Sequence, residues 1–237
     1  NMASNGAGQA VLLSGEPGIG KSRLTMSLID QIREMDQVKV FTGVCSPYFT
    51  HTALHPFIGM LEENLGLRSD MPPEEKISRL DDYLAGFHLG FESRTRLFAK
   101  LLSISHDLPP SQMTAEHEKQ QLFEAILNIA IQESEHRPVL MVIEDIHWAD
   151  ATTLDLLGNL LDLLPSTRIF LLLNFRAHFN PGWVARPHVS LLALSRVSDQ
   201  EANGIISTVA GGTAVDPETL AVIISRADGV PLFLEEV

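Results

Sequence analysis

Residues 10–22 read AVLLSGEPGIGKS. The apolar run from Ala10 to Leu13 predicts a buried strand. It leads straight into Gly15-Glu16-Pro17-Gly18-Ile19-Gly20-Lys21-Ser22, which fits G-x-x-x-x-G-K-[ST]. Behind it, Leu24, Leu28, Ile32 and Met35 recur at helical spacing and predict a helix over 21–35. Strand, glycine-rich turn and helix, in that order, are the setting in which this pattern becomes a phosphate-binding loop. Gly15, Gly18 and Gly20 permit backbone conformations and close approaches that a side chain would block. Successive N–H groups can then converge on phosphate oxygens at the positive end of the following helix. Lys21 is placed to reach the β- and γ-phosphates and Ser22 to hold Mg²⁺. Arg23 is counted with the same phosphate-binding set.

A second stretch carries chemistry. PVLMVIED, residues 138–145, is an apolar strand that ends in two carboxylates, Glu144 and Asp145. A fully apolar strand belongs in the middle of a parallel sheet, buried on both faces. Acids at its carboxyl end are therefore outside the core, where ligands of doubly wound sheets sit. Downstream of a phosphate loop, one acid is expected to hold Mg²⁺, directly or through water, and the other to orient or deprotonate the attacking water. The plainer alternative is an acid that only caps a helix. RIFLLLN, residues 168–174, predicts another buried strand, followed by Phe175 and Arg176. Asn174 and Arg176 at its tip again point at the site, with Arg176 able to meet the γ-phosphate. The alternative for Arg176 is a surface residue at a strand exit. Between these strands, His147 and Trp148 read as structural and packing residues, and Asp150 as the N-cap of a helix over 152–164.

The remaining segments frame that core. Residues 38–43 and 189–193 predict strands. Ile58, Leu61 and Leu65 suggest a helix after the loop bracketed by Pro47 and Pro56. His51 and His55 lie four apart, but Pro56 opposes a regular helix through both and no third ligand is near, so no metal site is assigned to them. Residues 68–110 read as an irregular helical insertion, with a helix starting at Pro72-Pro73 and a break at Leu108-Pro109-Pro110. Residues 114–135 predict a long amphipathic helix. From residue 196 the pattern turns wholly helical. Ser198 with Glu201 is a capping box, Asp216-Pro217 opens a second helix, Gly229 stops it, and residues 230–234 open a third.

Composition narrows the class. The chain has 237 residues and a net charge of −13. Such acidity disfavours nucleic acid as a partner, because phosphate neutralisation needs clustered Lys and Arg. Cys45 is the only cysteine, which rules out an internal disulfide and a cysteine zinc site and suits a cytoplasmic setting. No run is long and apolar enough to predict a membrane span, and no signal peptide is expected. Residues 1–9 read as a linker or cloning remnant, and the whole as a piece of a longer protein.

GEPGIGKSRL, CSPYFTHTAL, PVLMVIEDIHWADATTLDLL, NFRAHF and RADGVPLFLEE occur in that order. Together they resemble the STAND-class, AAA-16-like signalling ATPases, and in particular the ATPase module of large bacterial proteins carrying a class III adenylate/guanylate cyclase domain and C-terminal helical repeats. The resemblance spans residues 10–237. It implies an α/β P-loop NTPase of the ASCE/AAA-like type, with a parallel sheet in the order 5-1-4-3-2, a core over 10–195 and the start of a helical lid over 196–237. It puts Asn174 and Arg176 beside Lys21, with Arg176 as sensor. It also matches Gly229-Val230-Pro231 to the family's G-x-P lid motif, whose Pro231 packs near the adenine. Many family members begin the second motif with Asp where this chain has Glu144, which leaves open which acid does which job. Ala151 stands where Pro is common, and the arginine-containing element that precedes the loop strand and the winged-helix segment of the lid are not in the sequence.

The implied function is a Mg²⁺-dependent, slowly hydrolysing ATP/ADP switch, with Glu144 holding Mg²⁺, Asp145 polarising water and the nucleotide setting the lid. Its partners would be nucleotide, other domains of the same protein and, depending on nucleotide, other copies of itself. The competing readings are a locked, non-hydrolysing nucleotide switch and a DNA-acting AAA+ ATPase of the replication-initiator type.

Overall fold

Alternation along the strands explains the layers. In β1 (Gln9–Ser14), Leu12 and Leu13 are both buried but face opposite sides. In β3 (Val139–Glu144), Val139, Met141 and Ile143 join one core, and Leu140 and Val142 the other. β4 (Ile169–Phe175) divides its residues in the same way. Strands that are apolar on both faces need helices on both faces, and that demand produces a three-layer α/β arrangement.

The computed structural model describes residues 6–35, 37–89, 94–105, 113–211 and 215–235. With β2 (Lys39–Val44) and β5 (Val189–Ala193), the strands form one five-stranded parallel sheet in the order β2-β3-β4-β1-β5. Taken from the other edge, this is the expected 5-1-4-3-2. Register positions the site: Leu13 pairs with Asn174, Ile143 with Leu173 and Val44 with Glu144. The carboxyl ends of β1, β3 and β4 therefore finish level with one another.

Helix α1 (Lys21–Arg33) covers one face of the sheet, where Ile29 packs with Leu13, Leu140, Val142 and Leu172. Its buried stripe differs in part from the expected one. Lys21, Thr25 and Ile29 face inward, Leu28 and Ile32 pack partly buried beside them as expected, and Leu24 is 46% exposed. The loop must aim Lys21 at the site, and this fixes the helix's rotation ahead of the hydrophobicity of Leu24. On the other face, α6 (Ala151–Leu163) buries Leu156, Leu157, Leu160 and Leu161.

Helices α2 (His55–Leu65), α3 (Pro73–Ala85), α4 (Arg94–Leu101) and α5 (Ala115–His136) build a second core around Leu80, Leu84, Phe98 and Ile129. Pro73 occupies the first turn of α3, as its fixed φ and missing donor favour. α2 begins at His55 with Pro56 in its first turn, which leaves His51 before it. The break expected at Leu108-Pro109-Pro110 lies outside the described residues.

After β5 come α7 (Asp199–Val209), α8 (Pro217–Ala227) and α9 (Pro231–Glu235), packed around Ala202, Ile206, Ala227 and Leu234. The capping box of Ser198 and Glu201 is formed, and Asp216 caps α8 through the N–H of Thr219. α8 ends at Ala227 with Asp228 as its C-cap, and Gly229, left-handed at φ 71°, follows as the expected stop. No described helix is long and apolar enough to cross a membrane.

Candidate functional site at the carboxyl ends of the strands

The loop between β1 and α1 holds its shape through two left-handed glycines, Gly18 at φ 76° and Gly20 at φ 102°. Gly18 is also pressed by the start of α9: a Cβ there would lie 3.0 Å from Val230 Cγ1 and 3.1 Å from Leu232 Cβ. The Lys21 side chain folds back along the loop. Its Nζ donates to the carbonyls of Gly15 and Glu16, each at 2.9 Å. Burial pushes the Lys21 pKa below the ordinary lysine value; the charge of Asp145 opposes that shift and Arg176 adds to it.

Ser22 opens α1 and points at the end of β3. Its Oγ donates to Glu144 Oε2 at 2.9 Å. The same carboxylate oxygen accepts from Asn174 Nδ2, also at 2.9 Å. Asn174 is 1% exposed, and its Oδ1 accepts the backbone N–H of Asp145 at 2.7 Å. One amide at the end of β4 thus ties down both members of the acidic pair. Asp145 sits in a left-handed conformation at φ 56°, one that Asp tolerates better than most residues, with its carboxylate 44% exposed at the cleft.

A cleft of about 350 Å³ lies over these groups, walled by Gly20, Lys21, Ser22, Asp145, Arg176 and Pro231. Pro17, Gly18, Arg23 and Leu232 complete its rim. The segment that opens α9 borders it, as the Leu232 N–H donates to Gly18 O at 3.2 Å. Arg176 follows β4 and lies with its guanidinium carbon 5.6 Å from the centre of the Trp148 ring. Trp148 packs against the main core as expected and also serves as a platform for Arg176. A second, more apolar cleft of about 620 Å³ runs between α1 and α7 and shares Gly20, Arg23 and Pro231 with the first. Ile19 lines this second cleft.

Glu16 divides its backbone and its side chain between two neighbours. Its carbonyl accepts from Lys21, but its carboxylate turns away to Arg196. His147, read from the sequence as structural, is buried beside the acidic pair. Its side chain is 3% exposed, and neither ring nitrogen has a hydrogen-bond partner. Nδ1 lies 3.8 Å from Asp145 Oδ1. Burial holds its pKa below the usual histidine value, despite the opposing charge of Asp145. The only sequence signal for it was its place two residues beyond the acidic pair.

The donors Ser22 Oγ and Glu144 Oε2 are hard oxygens that already meet, a set that suits Mg²⁺. No cluster of three His, Cys, Asp or Glu able to hold a metal occurs among the described residues. A two-oxygen set is what Mg²⁺ uses when substrate phosphates and water fill its other positions. His55 is stacked on Phe49 at 3.9 Å. Cys45 is buried, and its thiol is pushed up to about 12 by burial and by the nearby Asp150 and Asp145.

The family model described as AAA ATPase domain (AAA_16) matches residues 1–173, well over half of the chain. The chain belongs to this AAA ATPase domain family. Family membership carries P-loop nucleotide binding with it. An uncharacterized protein, R02095, of Rhizobium meliloti strain 1021 is 25% identical over 236 residues, covering 98% of this chain and 22% of its own length. Among solved structures, a chain of the Escherichia coli MS115-1 HORMA:CdnC:Trip13 complex matches with a TM-score of 0.50 at 12% identity, over 92% of this chain and 58% of its own. A Thermotoga maritima RuvB variant matches with a TM-score of 0.48 at 13% identity, over 96% and 53%. Orc1 of Aeropyrum pernix, solved in complex with DNA, matches with a TM-score of 0.48 at 12% identity, over 95% and 52%. The AAA ATPase domain described here thus spans about half of those solved chains and under a quarter of the R02095 protein.

Proposed function

We propose that this chain is the Mg²⁺-dependent, ATP-binding and slowly hydrolysing regulatory module of a larger signal-transduction protein, with the nucleotide state setting the lid. The observation that carries the proposal is the hydrogen-bonded chain Ser22–Glu144–Asn174–Asp145 beside Lys21, whose two ends, Ser22 and Asp145, line the cleft together with Lys21 and Arg176. In this reading Lys21 exchanges the carbonyls of Gly15 and Glu16 for phosphate oxygens. Ser22 and Glu144 would hold Mg²⁺, whose charge offsets that of the phosphates. Asp145 accepts a hydrogen bond from the attacking water and orients it. Arg176 meets the γ-phosphate and offsets charge developing on it. The apolar cleft between α1 and α7, with Pro231 at its mouth, takes the base.

The placement in the STAND class, linked to cyclase and helical-repeat domains, rests on the order of the motifs and on a relative more than four times as long. The corresponding parts are a core over 10–195 with an insertion at 68–110, and the first helices of a lid over 196–237. A cytoplasmic setting and nucleotide-dependent self-association belong to the same reading. One observation favours a locked, non-hydrolysing switch instead: the lid backbone at Leu232 is bonded directly to the phosphate loop.

Thermal unfolding tests the binding half. ATP or ADP with Mg²⁺ at 100 times its Kd stabilises a one-site protein by about 2.7 kcal/mol. The parent is expected to show a rise in Tm that disappears in Lys21→Ala. An equal rise in both proteins removes the loop from the binding site.

A further inference from the structure

The Glu16 carboxylate, which the nucleotide cleft does not use, meets the lid instead. Arg196, in the segment joining β5 to α7, donates from Nε and Nη2 to Glu16 Oε2 at 3.3 and 3.1 Å. Its other arm, Nη1, donates to Asp228 Oδ2 and, at 3.4 Å, to the Asp228 carbonyl. One guanidinium therefore spans the phosphate loop and the residue that ends α8. Two main-chain bonds flank it: Val197 N–H to Gly229 O at 2.9 Å and Leu232 N–H to Gly18 O at 3.2 Å.

We propose that Arg196 is an electrostatic clasp that holds the lid on the phosphate loop by bridging Glu16 and Asp228. Charge explains why the bridge matters. Glu16 and Asp228 share one cation, so without it two like charges are left facing each other across the hinge. The planar fork of Arg meets both partners at once, which the point charge of Lys cannot do. The side chains of Arg196, Glu16 and Asp228 are 47%, 51% and 76% exposed, so added salt reaches all three. An isolated pair this exposed does little for stability. The clasp does not hold the fold together. It biases the position of a lid that meets the phosphate loop through the Leu232 N–H and Gly18 O. The lid equilibrium is therefore sensitive to ionic strength and to charge at positions 16, 196 and 228.

Glu16, Arg196 and Asp228 do not line the cleft over Lys21 and Asp145, so the test runs without nucleotide; only the consequence for switching rests on the ATP reading above. Spin labels go on Met26→Cys in α1 and Val222→Cys in α8, positions 48% and 50% exposed. Cys45 is buried with its thiol pushed up to about 12, and it stays unlabelled at neutral pH. Pulsed electron-spin distance measurement of the parent at low salt is expected to give one narrow population. Arg196→Ala loses it to a broad, longer one, and so does the parent in about 1 M salt, where the Debye length is about 3 Å. Arg196→Lys falls between the two. Adding Asp228→Asn to Arg196→Ala removes the repulsion, keeps a residue tolerant of the left-handed conformation, and restores part of the narrow population. The same narrow population in Arg196→Ala and parent at low salt overturns the clasp. A parent that shows this behaviour yet binds no ATP overturns the nucleotide reading alone. A parent that binds ATP while its lid ignores Arg196 overturns the clasp alone.

Discussion

Asn174 and Glu144 are joined by a hydrogen bond of 2.9 Å between neighbouring strands, and the same asparagine holds the backbone of Asp145 at 2.7 Å. One buried amide therefore holds the Glu144 carboxylate and the backbone at Asp145. Losing an outer-shell partner of this kind costs roughly 10- to 100-fold in activity. Asn174→Ala is expected to lower ATP turnover by about that factor while ATP affinity changes much less. Equal loss of affinity and turnover would assign Asn174 to binding. Single-turnover hydrolysis beside equilibrium binding makes the distinction.

Arg176 rests on Trp148, with its guanidinium carbon 5.6 Å from the ring centre. A cation–π contact near the surface contributes about 0.5–1 kcal/mol, or roughly two- to fivefold in rate if it is used only to orient Arg176. Trp148→Leu is expected to slow hydrolysis by that much, and Trp148→Phe, which keeps an aromatic face, by less. Identical rates in the two variants, measured at saturating ATP, would reduce Trp148 to packing.

Asp150 secures the turn after the acidic pair. Its carboxylate accepts from Thr153 N–H at 3.0 Å, from Thr153 Oγ1 and from Leu54 N–H at 3.3 Å. Leu54 is buried in a left-handed conformation, so this carboxylate also anchors a strained position in another segment. Asp150→Ala is predicted to destabilise the fold by about 1–2 kcal/mol, the cost of losing a side-chain N-cap. Urea unfolding checks it: the midpoint falls and the slope stays unchanged.

His147 gives a pH signature. Folding lowers its pKa because the ring is desolvated, so between the folded value and the unfolded value of about 6.5 the unfolded chain binds more protons. Stability then rises with pH through that window and falls as pH drops below about 6.5. The slope from this one group cannot exceed about 1.4 kcal/mol per pH unit. His147→Phe removes it. Parent and variant are expected to diverge in unfolding free energy below pH 6.5, the parent weakening faster; parallel curves would mean that His147 titrates alike in both states.

The fold was largely legible because its signals are local. AVLLSGEPGIGKS and PVLMVIED each specify a strand, its burial and the chemistry at its end, and the sheet register brings Ser22 to Glu144 across 122 positions. The facing of α1 was legible only in part, through Leu28 and Ile32, which pack against the core. Leu24 and Met35 belong to the apolar spacing, yet the helix buries Lys21, Thr25 and Ile29, since its rotation is set by the loop rather than by amphipathicity. Arg196 was invisible for another reason: its partners Glu16 and Asp228 stand 180 and 32 positions away, and no periodicity links them. His147 was read as structural, but nothing in the sequence showed that both its ring nitrogens lack partners. A histidine beside an acidic pair has the same letters whether it is solvated or buried, and only packing decides.

The most direct measurement is single-turnover hydrolysis of ATP with Mg²⁺ by the parent, Lys21→Ala and Asp145→Asn, with binding measured on the same samples. We predict slow turnover in the parent, lost binding in Lys21→Ala, and binding without hydrolysis in Asp145→Asn. Hydrolysis that survives Lys21→Ala at the parent's rate contradicts the assignment of the loop, and with it the nucleotide switch.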